Sequence, residues 1–347
     1  VVDLNLEHRW RTITNDFYTG TSYAHLESVH PSVPLAVPVT NLTHLAPLSF
    51  SNSTVEWNVQ YTQPITSAQL PAPSYYSNVS FYFEPTANIS RTNDTHILNV
   101  DGGAVNQVVY QQPEYYFDWS TLAATTVPGQ GYPYELLLDE EFTNASSELS
   151  LVRNVTFGVI SDAGATDAYS TALALEDFIT NGNASTEFKR NYNGSGTVSP
   201  VDVSLNILEA IKEGSCREFN TLFVTMARLA GLPARQVTGY IGGTWTGDGY
   251  AVYSSDVATW SEVRLQQNSA NGNTDLGWIP FDPCPPAEEV EIVNQTISTM
   301  TVARDGTDTI TVTGQLRYVA NGTPVQDIRV FSYLTPVADA EFVPGPG

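Results

Sequence analysis

The stretch from Gly214 to Tyr240 constrains the fold of this chain more than any other. It reads Gly-Ser-Cys-Arg-Glu-Phe-Asn-Thr-Leu-Phe-Val-Thr-Met-Ala-Arg-Leu-Ala-Gly-Leu-Pro-Ala-Arg-Gln-Val-Thr-Gly-Tyr. Phe219, Leu222, Phe223, Met226 and Leu229 recur at helical spacing, so a helix beginning near Cys216 carries one apolar face. Gly231-Leu-Pro233 ends it, because glycine accepts the conformation that closes a helix and proline cannot continue one. Gln236–Tyr240 then reads as a strand. Cys216 therefore stands at a helix N-terminus, where unpaired backbone N–H groups favour a thiolate. Cys284 is the only other cysteine, and a single pair also suits one disulfide in an oxidising compartment.

The remaining pattern suggests three domains. Residues 1–127 are strand-like: Val55–Tyr61 alternates apolar and polar positions, and Val79–Phe83 is rich in β-formers. Asp101-Gly-Gly between Ile97–Val100 and Val108–Tyr110 predicts a hairpin. This part is expected to be an N-terminal β-rich, sandwich-like domain. Residues 128–287 place helices before strands, an α+β order. A helix is predicted after Asp167, with Tyr169, Ala172, Leu173, Leu175, Phe178 and Ile179 on its apolar side and Asn181-Gly182 at its end. A second carries Val201, Leu205, Leu208 and Ile211 and closes at Glu213-Gly214. Thr259–Leu265 and Trp278–Asp282 read as strands. Residues 288–347 alternate again at 309–313, 315–319 and 328–333, as in an Ig-like β domain that is truncated or the first of several.

Charge bounds the partners. The net charge is −23, and Lys189 and Lys212 are the only lysines. Such a surface repels nucleic acid and anionic membranes. It would tolerate weak Ca²⁺ binding, although no Asp-x-Asp-x-Asp-Gly loop supports a site, and the histidines are too scattered for a metal centre. No cofactor and no metal are expected. Eleven Asn-x-Ser/Thr sequons, at Asn41, Asn52, Asn78, Asn88, Asn93, Asn144, Asn154, Asn183, Asn193, Asn294 and Asn321, are candidates for glycosylation. They point to an extracellular or cell-surface glycoprotein. No apolar run reaches the roughly 18 residues that span a bilayer. The ends, Val1 and Pro-Gly-Pro-Gly347, read as a piece of a longer chain.

Three blocks resemble the transglutaminase-like superfamily, whose fold is shared with papain-type cysteine proteases. They are Gly214-x-Cys216 through Gly231-Leu-Pro-Ala-Arg235-x-Val-x-Gly239-Tyr240, then Trp260-x-Glu262-Val263, then Gly277-Trp278-Ile-Pro-Phe-Asp282-Pro283. The resemblance implies a transglutaminase-like core over roughly residues 130–286. In that family a cysteine attacks a carbonyl, a histidine takes its proton and an aspartate orients the histidine. Cys216 and Asp282 match the first and last positions. The histidine position, two residues before the tryptophan, is Ala258. All five histidines (His8, His25, His30, His44 and His96) precede the core. By the same resemblance Trp260, Trp278 and Arg235 flank the cleft, or Trp260 and Trp278 belong to the core and Arg235 and Glu262 to internal ion pairs. Where the family has threonine two residues after the aspartate, this chain has Cys284. The implied neighbourhood of that strand and the Cys216 helix makes Cys216–Cys284 the candidate bridge.

The reading that follows is a catalytically degenerate transglutaminase-like domain of a secreted or cell-surface glycoprotein. It would serve as a structural, adhesion or ligand-binding module for a protein or glycan ligand. The alternative is an active cysteine peptidase or protein-glutamine acyltransferase that uses Cys216 with a base supplied from elsewhere.

Overall fold

The structure is a computed structural model of the whole chain. It describes residues 9–15, 17–18, 23–24, 32–34, 50–66, 69–73, 78–81, 88–92, 98–115, 122, 125–127, 147–182, 187–190, 200–210, 212–246, 249–269, 272–286, 290–297 and 312–318. Two compact units divide it, Val1–Pro286 and Ala287–Gly347.

A six-stranded sheet organises the first unit. Its strands are β1 (Arg9–Asn15), β2 (Ala72–Pro73), β3 (Thr125–Thr126), β4 (Ala234–Ile241), β5 (Val257–Ser269) and β6 (Gly272–Phe281). β4 pairs antiparallel with β5, placing Arg235 beside Glu262, Val237 beside Trp260 and Gly239 beside Ala258. β6 lies along β5 from Ser261 to Ser269, and β3 pairs Gln266 and Gln267. On its other edge β4 takes β1, from Arg9↔Ile241 to Asn15↔Gln236. The break expected after residue 127 therefore does not divide two compact units. The N-terminal strand β1 is built into the sheet of the core, because pairing with β4 satisfies a row of backbone groups that an edge strand would leave open.

Among the described residues, the helices that precede or pack on this sheet are α1 (Ser147–Asp162), α2 (Ala168–Asn181), α3 (Pro200–Leu205) and α4 (Cys216–Leu229). α2 starts on an Asp167 capping box and ends at Gly182 (φ 68°). Its inner face is Ala168, Ala172, Leu175, Phe178 and Ile179, whereas Leu173 stands exposed. α3 runs into a π-helical turn at Asn206–Ala210; Val203 and Ile207 are buried, and Leu205 and Leu208 pack partly buried against the same core. Glu213-Gly214 then pairs in parallel with Lys189-Arg190 rather than simply closing a helix. One core gathers Phe219, Phe223 and Met226 of α4 with Val263, Leu265, Ile279 and Phe281 of the sheet. Phe223 stacks on Phe281 at 5.4 Å.

A second core lies among Trp10, Leu70, Val79, Leu98, Val108 and Tyr110. Strands 50–65 and 78–81 flank strand 105–115 in one sheet, and strand 98–101 sits in another beside 88–92. The hairpin expected at Asp101-Gly-Gly is thus not formed. Gly102 (φ 69°) and Gly103 (φ 78°) turn the chain, but the strands on either side join different sheets. Burying Leu98 and Val108 in a shared core favours that crossing over direct pairing.

β1 and β4 meet without room for a side chain at Gly239. A Cβ there would collide with the backbone carbonyl of Trp10 and come within 2.9 Å of the Trp260 ring. Gly239→Ala is expected to destabilise the first unit by about 1–3 kcal/mol, because backbone cannot yield as a flexible side chain does. Chemical denaturation, read through tryptophan fluorescence, checks this.

In the second unit, strands Val290–Ile297 and Val312–Tyr318 form an antiparallel pair. The expected strand at 328–333 lies outside the described residues.

Candidate functional site

Ser215 caps α4. The Glu218 N–H donates to its Oγ at 3.4 Å, while the Glu218 carboxylate takes the Ser215 N–H at 2.7 Å and its hydroxyl at 2.8 Å. This capping box fixes where the helix begins and puts Cys216 on its first turn. Ser215-x-x-Glu218 is the sequence signature of such a box. Asn220, one turn on, donates through Nδ2 to Cys216 O (2.8 Å) and to Thr259 O on β5 (3.0 Å), and its Oδ1 accepts from Ser261 (2.6 Å). The cysteine turn is thereby fastened to the strand residue next to Ala258.

Cys216 is bonded to Cys284, with the Cα atoms 4.9 Å apart. The bridge spans 68 residues and joins the start of α4 to the segment just after β6. Asp282, on the same segment, has a partly exposed side chain (44%) with Arg9 3.9 Å away. Arg9 also lies over the Trp260 ring, at 5.6 Å. Asp282 therefore faces a guanidinium supplied by β1. Desolvation by the surrounding chain raises the Asp282 carboxyl from its ordinary value. Arg9, the backbone N–H of Cys284 and Arg190 counteract it, and solvent screens much of the rest. All five histidines lie outside the described residues.

Glu176 of α2 joins this group, and sequence patterning offered no hint of it. Its Oε1 accepts the Asp282 N–H at 2.6 Å. Burial, with the nearby Asp282 charge, pushes the Glu176 carboxyl up to about 7, against help from the Asp282 N–H and from Arg9. Tyr169, packed against Phe281, is pushed up to about 12 by burial and by Glu176 and Asp167. A carboxyl whose folded pKa is raised holds its proton longer in the folded state. Its contribution to stability is then lost as pH rises from 4.5 towards about 7 and stays lost above. Glu176→Gln keeps an oxygen for the Asp282 N–H and removes the charge. It is expected to stabilise the protein by on the order of 2 kcal/mol at about pH 8 and to change little near about pH 4, measured by thermal unfolding at both.

Glu262 serves a different purpose. Arg11 donates Nε and a terminal NH₂ to Oε1 (2.9 and 2.7 Å), and Arg235 donates the same pair to Oε2 (2.9 and 2.8 Å). Trp260 Nε1 adds 3.2 Å to Oε1. Burial alone would raise this carboxyl, but the two guanidiniums hold it below the usual range. Arg235 also lies 4.0 Å over the Trp278 ring. Trp260 and Arg235 are 0% exposed and Trp278 4%. Arg11, on β1, completes the ion triad with Glu262 and Arg235. Asn154, on α1, is an exposed sequon asparagine, whereas the Thr156 of its sequon is buried and donates to Val152 O. Among the described residues no group of three His, Cys, Asp or Glu side chains is placed to hold a metal ion, and no helix is long and apolar enough to cross a membrane.

The helix-borne cysteine, the antiparallel β4–β5–β6 order and Asp282 after β6 agree with one family comparison. The Transglutaminase-like superfamily matches residues 156–283. These residues form a transglutaminase-like domain. The fold is also similar to the periplasmic domain of TgpA from Pseudomonas aeruginosa, at 17% identity and a TM-score of 0.50, over 82% of this chain and 84% of that one. The same domain bound to ethylmercury gives 16%, 0.51, 82% and 86%. No curated protein sequence matches the chain. The structural likeness, over 82% of the chain, extends past the 156–283 match.

Proposed function

We propose that the chain is a disulfide-locked, non-acylating transglutaminase-like module of a secreted or cell-surface protein, working by holding a protein or glycan ligand. The observation that carries this reading is the bond from Cys216 to Cys284: a sulfur in a disulfide has no lone thiolate to attack a carbonyl. Two features support it. Ala258 stands at the family's histidine position and has no group that takes or gives a proton. Asp282 instead faces Arg9, a cation that does not deprotonate in a protein and so cannot act as a base. General acid–base participation is typically worth about 10²- to 10⁴-fold in rate, and that contribution is forfeited. The bridge and the periplasmic setting of the TgpA domains favour a location outside a reducing cytosol.

The test compares wild type with Cys216→Ala, both purified without reductant, in amide-hydrolysis and amine-incorporation assays. The expected result is no difference between them. Alkylation under denaturing, non-reducing conditions should leave Cys216 unlabelled. Cysteine-dependent turnover in either assay would establish the alternative, an enzyme with a base from elsewhere in the chain.

A further inference from the structure

The geometry points to the Cys216–Cys284 bridge as a regioselective thiol–disulfide exchange site, opened by small uncharged thiols that attack Cys284 and expel Cys216. The inference rests on the reading above, in which Cys216 is a bonded sulfur rather than an acylating one.

The two cysteines differ in their backbone surroundings. Cys216 is the first residue of a 14-residue helix, where backbone N–H groups stabilise a departing thiolate. The nearest helix carboxylate, Glu218, is engaged by the Ser215 N–H and hydroxyl, and Arg217 beside the cysteine is exposed. Cys284 has a different environment. Its own backbone N–H is taken by the Asp282 carboxylate, which places a negative charge at the main chain of that residue. Arg9, at 3.9 Å and shared with Trp260, offsets that charge in part. Exchange is fastest when the leaving sulfur is the more acidic thiol, so the bond polarises towards Cys216. Neither cysteine is enclosed, since both are half-buried, and Pro283 and Pro285 hold Cys284 in a restricted backbone. That restraint keeps the two sulfurs near each other after opening, which favours reclosure.

The step balances as follows. An external thiolate attacks the Sγ of Cys284, the Sγ–Sγ bond breaks, and its electron pair leaves on Cys216. A mixed disulfide remains on Cys284. A second thiolate then attacks the external sulfur of that mixed disulfide and releases the Cys284 thiolate, which takes a proton from water. Two external thiols are oxidised to one disulfide, and the bridge is reduced by two electrons. The net charge of −23 disfavours anionic thiols, so an uncharged reductant should open the bridge faster than glutathione.

The experiment treats the native, full chain with 2-mercaptoethanol, quenches with acid, alkylates with N-ethylmaleimide and maps both cysteine peptides. The expected result is the mercaptoethanol adduct on Cys284 and maleimide on Cys216, in about ten-fold excess over the reverse. Asp282→Asn should bring the two products towards parity. Adduct mainly on Cys216, an even mixture in the wild type, or no opening without denaturant would each overturn the assignment. The reduced sample is also assayed for amide hydrolysis. Activity appearing there would sink the non-acylating reading while leaving the selectivity of exchange as measured.

Discussion

Glu262→Ala is expected to destabilise the first unit by about 3–5 kcal/mol, enough to threaten folding at physiological temperature. The carboxylate is 1% exposed and takes four guanidinium hydrogen bonds, two from Arg11 and two from Arg235. Removing it leaves two buried cations facing each other with no charge between them. Arg11 belongs to β1 and Arg235 to β4, so their repulsion acts directly across a strand pair. The loss should therefore appear as detachment of β1 as well as a lower global stability. Hydrogen exchange of the β1 amides, together with urea unfolding, would measure both. Replacing all three charges with apolar residues of similar volume is expected to recover most of the loss, since a buried ion cluster contributes little beyond what good packing supplies. If Glu262→Ala costs no more than an exposed salt bridge, the triad is not what holds β1 in place.

The parts of the fold legible in the sequence were those set by neighbours along the chain. Helical spacing of Phe219, Leu222, Phe223 and Met226, with Gly231-Leu-Pro to stop it, located α4 because packing periodicity and capping act within a few turns. The candidate bridge followed from the family resemblance and an unusual Cys284. The role of β1 was not legible: Arg11 reaches Glu262 across 251 positions, and neither residue's surroundings signal the other. The same distance hid Arg9 from Asp282. In α1, Val152, Val155, Val159 and Ile160 do fall at helical spacing and pack on the core, but Phe157, 45% exposed, and the buried Thr156 blur that stripe in the sequence. At Asp101-Gly-Gly the turn was correctly indicated, but which sheet each flanking strand joins is decided by the shared core beneath them. No neighbour along the chain marks Glu176, because the Asp282 N–H that engages it comes from a strand end 106 positions away.

Cys284→Ser is expected to cost about 4 kcal/mol, the chain-entropy value for opening a loop closed across 68 residues. For a unit of this size that corresponds to a fall in Tm of about 7 °C. The bridge adds one connection between α4 and the end of β6, yet α4 is already held by Asn220, Ser261 and Gln236 and by its apolar face. Its cost should therefore lie in the unfolded state, with native packing little changed. Two consequences separate this account from local damage at the site. Cys216→Ser, Cys284→Ser and the double variant should lose the same stability, because each removes the same cross-link. Fully reduced wild type should melt with them, within the small error of exchanging a thiol for a hydroxyl. A single variant markedly worse than the reduced wild type would mean that one sulfur is needed for packing, and the entropic account would fail for that residue. A loss below about 1 kcal/mol in all of them would mean that the unfolded chain already keeps these segments together, leaving the bridge little entropy to remove.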